Sequence, residues 1–121
     1  MKKTNETDKQ CVVKILRYIK DMAIIFNEQQ ITSHRALEQS TAAKYAATQL
    51  ITNIYELTKH MQESTLKSLA TFAGINLKTS RQIASHNYAA IEFRAVYDRC
   101  VKLIADPVRD ELCAFLEDSD G

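Results

Sequence analysis

Apolar residues recur every three or four positions along most of the chain, which is the spacing of one face of an α-helix. The first stripe predicts a helix of about five turns that ends near Asn27. Its apolar positions are Val12, Ile15, Leu16, Ile19, Met22, Ala23 and Phe26. A second helix can begin at Ser33, a good N-cap, and its stripe consists of Ala43, Ala47, Leu50, Ile54, Leu57 and Met61. Alternating steps of four and three in this stripe predict packing along another long helix.

The second half of the chain predicts three more helices. Ser64 can cap a third helix that Gly74 ends as a left-handed C′ residue, with Leu66, Leu69, Ala70 and Ala73 on its buried side. After a short helical piece around Arg81 and Ile83, a fourth stripe consists of Ala89, Phe93, Val96, Tyr97, Cys100, Leu103 and Ile104. Asp106 and Pro107 can begin a short fifth helix through Val108, Leu112, Phe115 and Leu116.

Length and composition narrow the fold class. The chain has 121 residues, the size of one domain, and its 2 glycines and 1 proline leave little material for tight turns. Short connections make sequential helices antiparallel neighbours. We therefore predict an all-α protein: residues 1–121 form one domain, an up-and-down four-helix bundle with a short fifth C-terminal helix. Residues 1–8 and 117–121 are expected to be frayed tails.

Charge and cysteine content change this picture little. Sixteen basic and 15 acidic residues give a formal charge of +1, so contact with RNA would have to be local. No apolar run approaches the roughly 20 residues that span a bilayer, and the charged N-terminus is unlike a signal peptide. We expect a soluble, cytoplasmic protein without membrane contact. Its three distant cysteines predict reduced, mostly buried thiols.

Most catalytic and cofactor motifs are missing. His34, His60 and His86 are too far from each other and from the cysteines for a local metal site, so no metal is expected. Gly74 and Gly121 are the only glycines, which excludes a P-loop and a dinucleotide fingerprint, and no cofactor is expected. His34 and His60 receive no role.

The stretch RQIASHNY, residues 81–88, is the remaining candidate. Arg81 and His86 would point about 140° apart on a straight helix, so cooperation requires a break in the helix or a second chain. Imidazole can transfer a proton near neutral pH, and guanidinium can hold a phosphate through two hydrogen bonds. The pair therefore suits phosphodiester cleavage without a metal. Arginine and histidine at this spacing also arise readily by chance, and both can equally be solvated residues at a helix end.

Four segments together resemble the HEPN superfamily, and within it the HepT-like family of toxin and antitoxin modules. They are KILRYIKDM, IYELTKHM, RQIASHNY and AAIEFRAVYDRCVKLI, and the resemblance covers nearly the whole chain. The succession of IYELTKHM and RQIASHNY some twenty residues later is more specific than either block alone. An Arg-x4-His-x-Tyr pattern between the third and fourth long helices is what this family would show.

The resemblance implies a homodimer whose two motifs meet at the subunit interface and cleave RNA without a metal. It assigns the catalytic pair to Arg81 and His86. It also implies that an MntA-like nucleotidyltransferase antitoxin transfers AMP to Tyr88, in a type VII-like toxin–antitoxin system where the dimer can join a larger assembly with the antitoxin. Gln82 stands where the family usually has Asn or Asp, and it would support the histidine or the phosphate from a longer side chain.

Two alternatives remain open. Some members of the family are described only as partners of nucleotidyltransferases, so the chain can also be a non-catalytic module that docks a nucleotidyltransferase or a nucleotide. A purely structural helical oligomer would use the seam from Ala43 to Met61 as its interface and would leave RQIASHNY without a role.

Overall fold

The computed structural model describes residues 6–77 and 93–120. Within these ranges the chain forms helices and no strand, which confirms the predicted all-α class. The helices are α1 (Glu6–Glu28), α2 (His34–Gln39), α3 (Thr41–Thr58), α4 (Glu63–Ser68), α5 (Ala70–Ala73), α6 (Phe93–Ile104) and α7 (Asp106–Asp120).

Helix α1 forms the centre of the core. It packs against α3, α6 and α7, and the predicted stripe faces them: Val12, Ile15 and Met22 are fully buried. The ring of Phe26 stacks on that of Tyr97 in α6, with 6.1 Å between their centres. The helix already begins at Glu6, within the stretch assigned to a tail, and it ends one residue beyond Asn27.

The prediction of one continuous helix from Ser33 onward was wrong, because the helix is interrupted at Ser40. Ser33 caps the short α2, as its hydroxyl oxygen accepts a hydrogen bond from the Ala36 amide at 3.1 Å. Ser40 has an extended backbone, with φ −95° and ψ 101°, and its hydroxyl accepts from the Ala43 amide at 3.2 Å to begin α3. Its own amide donates to the carbonyls of residues 36 and 37 that end α2. One serine therefore ends one helix and begins the next.

The predicted third helix is also divided. Ser64 lies inside α4 rather than at its cap, and Leu69, with φ −101° and ψ 58°, separates α4 from α5. This break places Leu69 and Phe72 in the core, whereas Ala70 and Ala73 are exposed. Gly74 has right-handed angles, φ −72° and ψ −12°, so the predicted left-handed C′ conformation was wrong.

Two carboxylates from the long helices hold these short helices in place. Asp8 in α1 is buried, and its oxygens accept from the Gln62 amide at 3.1 Å and from the Thr65 hydroxyl at 2.5 Å. In α7, the Glu111 carboxylate accepts from the amides of Thr71 and Phe72 at 3.0 and 2.9 Å. Both acids satisfy amides at a helix N-terminus, where negative charge is favoured. They thereby connect α4 and α5 to the long helices α1 and α7.

The last two helices agree with the described part of the predicted stripes, whereas Ala89 lies outside the described residues. Val96, Cys100 and Leu103 of α6 are buried, and α7 buries Val108 and Leu112. At 15 residues α7 is longer than the short helix predicted, and it continues through residues 117–120. Across residues 6–77 and 93–120, no helix is long and apolar enough to cross a membrane.

Candidate functional site

The four residues of the predicted site, Arg81, Gln82, His86 and Tyr88, lie outside the residues that the structure describes. Both flanks of this segment are described. Leu77 is buried on the near side, and α6 begins at Phe93 on the far side. The described residues thus include the surfaces from which this segment starts and to which it returns.

These two flanks lie against each other. The Arg99 side chain donates a hydrogen bond from Nε to the main-chain carbonyl of Asn76, across 23 positions of sequence. Residues 74–76 and one face of α6 also line a common cleft of about 520 Å³. The chain thus leaves the described core beside the same helix through which it returns.

Positive side chains dominate this cleft, which we call the basic cleft. It is lined by Gly74, Ile75, Asn76, Arg94, Ala95, Asp98, Arg99 and Lys102. Three of these carry a cation and one carries a carboxylate. In a chain whose charges nearly cancel, this is a local concentration of positive charge.

The cations of the basic cleft differ in how they are held. Lys102 pairs with Asp98, with 3.0 Å between Nζ and Oδ2, but the two side chains are 60% and 59% exposed. Such an exposed pair is weak and can be replaced by another anion. Arg99 has no carboxylate within ion-pair distance among the described residues, and its bond to Asn76 uses Nε alone. Its two terminal nitrogens keep the geometry that holds a phosphate through two hydrogen bonds.

Residues 74–77 also line a second cavity. It measures about 380 Å³ and is lined by Tyr55, Thr58, Leu66, Phe72, Ala73, Gly74, Ile75, Asn76 and Leu77. No charged side chain is among these residues. The surface can accommodate an apolar group, and its lining provides no cation for a phosphate.

The other candidates from the sequence are dispersed. His34 is half-buried at the start of α2 and His60 is exposed after α3. No three His, Cys, Asp or Glu residues within the described ranges are close enough to hold a metal ion together. Cys11 and Cys100 are buried as predicted, whereas Cys113 is exposed. Burial raises the pKa of the Cys100 thiol, and burial together with the nearby Asp8 carboxylate raises the pKa of Cys11.

Sequence reasoning missed the basic cleft. Arg94, Asp98 and Lys102 repeat at steps of four, and this polar stripe of α6 was visible beside the apolar one. Its charges could have been noted. The cleft brings these charges close to residues 74–76. The spacing of residues along the sequence does not reveal such a contact between distant segments.

Comparisons of the chain with models of protein families, with curated proteins and with solved structures gave no match.

Proposed function

We propose that the chain is a HEPN domain of the HepT-like type that acts as a metal-independent endoribonuclease toxin. The observation that carries this proposal is the Arg81-x4-His86-x-Tyr88 pattern in the interval between Leu77 and Phe93. A four-helix, up-and-down arrangement around that interval, closed into a homodimer, belongs to the same proposal.

The described residues support a role in binding a polyanion. The basic cleft lies beside both flanks of the interval and has an excess of positive charge. Local positive charge is what a protein with a formal charge of +1 would need in order to hold RNA. An RNA strand held there would be close to the points where the segment that carries Arg81 and His86 begins and ends.

The proposed chemistry needs two groups. The His86 imidazole would take the proton from a ribose 2′-hydroxyl, whose oxygen attacks the adjacent phosphorus while the bond to the 5′-oxygen of the next nucleotide breaks. The departing oxygen receives a proton from an imidazolium or from water. Arg81 would neutralise the charge that develops on the non-bridging oxygens. In a homodimer, the two residues can reach one phosphate from different chains, which overcomes their divergence on a straight helix.

Regulation follows from the same proposal. An MntA-like nucleotidyltransferase antitoxin would transfer AMP from ATP to the Tyr88 hydroxyl, two positions from His86, with release of pyrophosphate and of the phenolic proton. The added phosphate would occupy the space of an RNA phosphate and pair with the nearby arginine. Intact mass of the chain produced together with such a partner measures this modification directly.

Cleavage of a labelled RNA by wild-type protein and by His86→Ala tests the proposal. We expect His86→Ala to lose at least about 100-fold in rate, the usual contribution of a positioned acid or base. His60→Ala is the matched control, since His60 is exposed and lies outside the motif, and it should cleave at the wild-type rate. Equal cleavage by wild type and His86→Ala would contradict the assignment.

A substitution at Gln82 helps to distinguish the ribonuclease from the non-catalytic binding module. Gln82→Asn restores the residue that the family usually has at this position. If neither wild type nor Gln82→Asn cleaves RNA, while the chain still binds a nucleotidyltransferase or a nucleotide, the chain is a binding module.

A further inference from the structure

The residues that line the basic cleft are not among the predicted catalytic residues, and the proposed chemistry gives them no role. The three cations of the cleft all come from α6, and residues 74–76 line the same cleft. From Arg94 to Lys102 they cover about 12 Å of helix, at a rise of 1.5 Å per residue. One strand of a duplex carries a phosphate for about every 3.4 Å of helix axis, so this length is enough for contacts to a few successive phosphates.

We infer that the basic cleft binds the backbone phosphates of single-stranded RNA, with Arg99 and Lys102 as the principal contacts. This inference rests on the proposed function and extends it to the positioning of the substrate. Phosphate contacts carry no sequence information but determine the register of a strand. The cleft would therefore decide which phosphate of the bound strand reaches the catalytic segment.

The two contacts differ in chemistry. The bond from Arg99 Nε to the Asn76 carbonyl orients the guanidinium, so its terminal nitrogens can hold one phosphate with little loss of side-chain freedom. Lys102 acts as a point charge that must exchange Asp98 for a phosphate. Asp98 is the one carboxylate in the lining and opposes binding of any polyanion.

The chain contains two ion pairs of the same kind, one inside the basic cleft and one outside it, which can be compared in the test. Asp98 and Lys102 form an exposed pair at positions i and i+4 in α6, and Glu63 and Lys67 form another in α4. Lys67 and Glu63 do not line the basic cleft. Substituting either lysine removes the same charge and breaks the same kind of pair, so only the location differs.

The experiment measures the dissociation constant of a labelled oligouridylate by fluorescence anisotropy at several NaCl concentrations. All variants carry His86→Ala, so that cleavage does not interfere. We expect Lys102→Gln to weaken binding about fivefold at 0.1 M salt and to lower the slope of log K against log salt by about 0.7, the loss of one phosphate contact. Asp98→Asn should tighten binding roughly two- to fivefold, because the exposed pair that it removes is weak. Lys67→Gln and Glu63→Gln should match the parent protein.

Equal effects at the two ion pairs, or the absence of RNA binding, would overturn the inference. Binding of an oligoglutamate peptide that depends on Lys102, without RNA binding, would likewise overturn it in favour of an acidic protein segment. Failure of the proposed function is distinguishable. If wild-type protein cleaves no RNA but Lys102→Gln and Asp98→Asn shift RNA binding in opposite directions, the cleft inference stands and the ribonuclease does not.

Discussion

Asp8 shows what a single residue contributes to this fold. It is fully buried, although the sequence assigns it to a tail, and its two oxygens accept hydrogen bonds from Gln62 and Thr65. These partners are more than 50 positions away along the chain. The carboxylate therefore joins the beginning of α1 to the beginning of α4, which has no cap from its own side chains.

Removal of this carboxylate should destabilise the protein. We expect Asp8→Ala to lower the free energy of unfolding by about 1–3 kcal/mol, the cost of leaving buried donors without an acceptor. Asp8→Asn should lose less, because its amide oxygen can still accept one of the two hydrogen bonds. Urea unfolding followed by circular dichroism measures both changes.

Asp21→Ala is the control for Asp8, since Asp21 is an exposed aspartate of the same helix. Its effect should stay within about 0.5 kcal/mol, as for most surface substitutions. Equal losses for Asp8→Ala and Asp21→Ala would show that the buried carboxylate does not stabilise the junction with α4.

At the scale of elements, serine residues cap two of the described helices, α2 and α3. Ser33, Ser40 and Ser64 all look like N-caps in the sequence, because serine favours that position. Only Ser33 and Ser40 accept a hydrogen bond from an amide three positions later, whereas Ser64 is the second residue of α4. A serine in the sequence is therefore compatible with a cap but does not identify one.

Substitution of two serines separates these roles. We expect Ser40→Ala to cost about 1 kcal/mol of stability, because the Ala43 amide loses its acceptor. Ser64→Ala should be neutral or slightly stabilising, since alanine has the higher helix propensity. Thermal and urea unfolding of both variants measure the difference. A larger loss at Ser64 than at Ser40 would contradict the division of the chain at Ser40.

At the scale of the whole molecule, the proposed function depends on two copies. If Arg81 of one copy acts with His86 of the other, Arg81→Ala and His86→Ala chains complement each other in a mixed dimer. Random pairing of equal amounts makes half of the dimers mixed, each with one intact site of two. We expect about a quarter of the wild-type cleavage rate after the two variants are unfolded and refolded together.

Each variant refolded alone is the control for this experiment and should stay inactive. Light scattering of the mixture should give about twice the chain mass of 13.8 kDa. If the mixture forms dimers and remains inactive while wild type cleaves RNA, the two residues act within one chain.

The all-α class and much of the core could be predicted, because burial of one helical face imposes a period that is visible in the sequence. Val12, Ile15, Ile54 and Cys100 are examples of stripe positions that the structure buries. The breaks at Ser40 and Leu69 could not be predicted in the same way. A helix ends where alternative hydrogen bonds and packing outweigh one more turn, and these partners come from other parts of the chain.

The sequence by itself determined the all-α class and the residue types of the candidate chemistry, because helical periodicity and side-chain chemistry are local properties. Arg81, Gln82, His86 and Tyr88 remain predictions from the sequence, since they lie outside the described residues. Only the tertiary structure brought Asn76 against Arg99 and gathered the charges of α6 into the basic cleft. Asp8 and Glu111 hold the intervening helices through hydrogen bonds to residues 39 to 57 positions away in the sequence. No local sequence pattern encodes contacts over such separations.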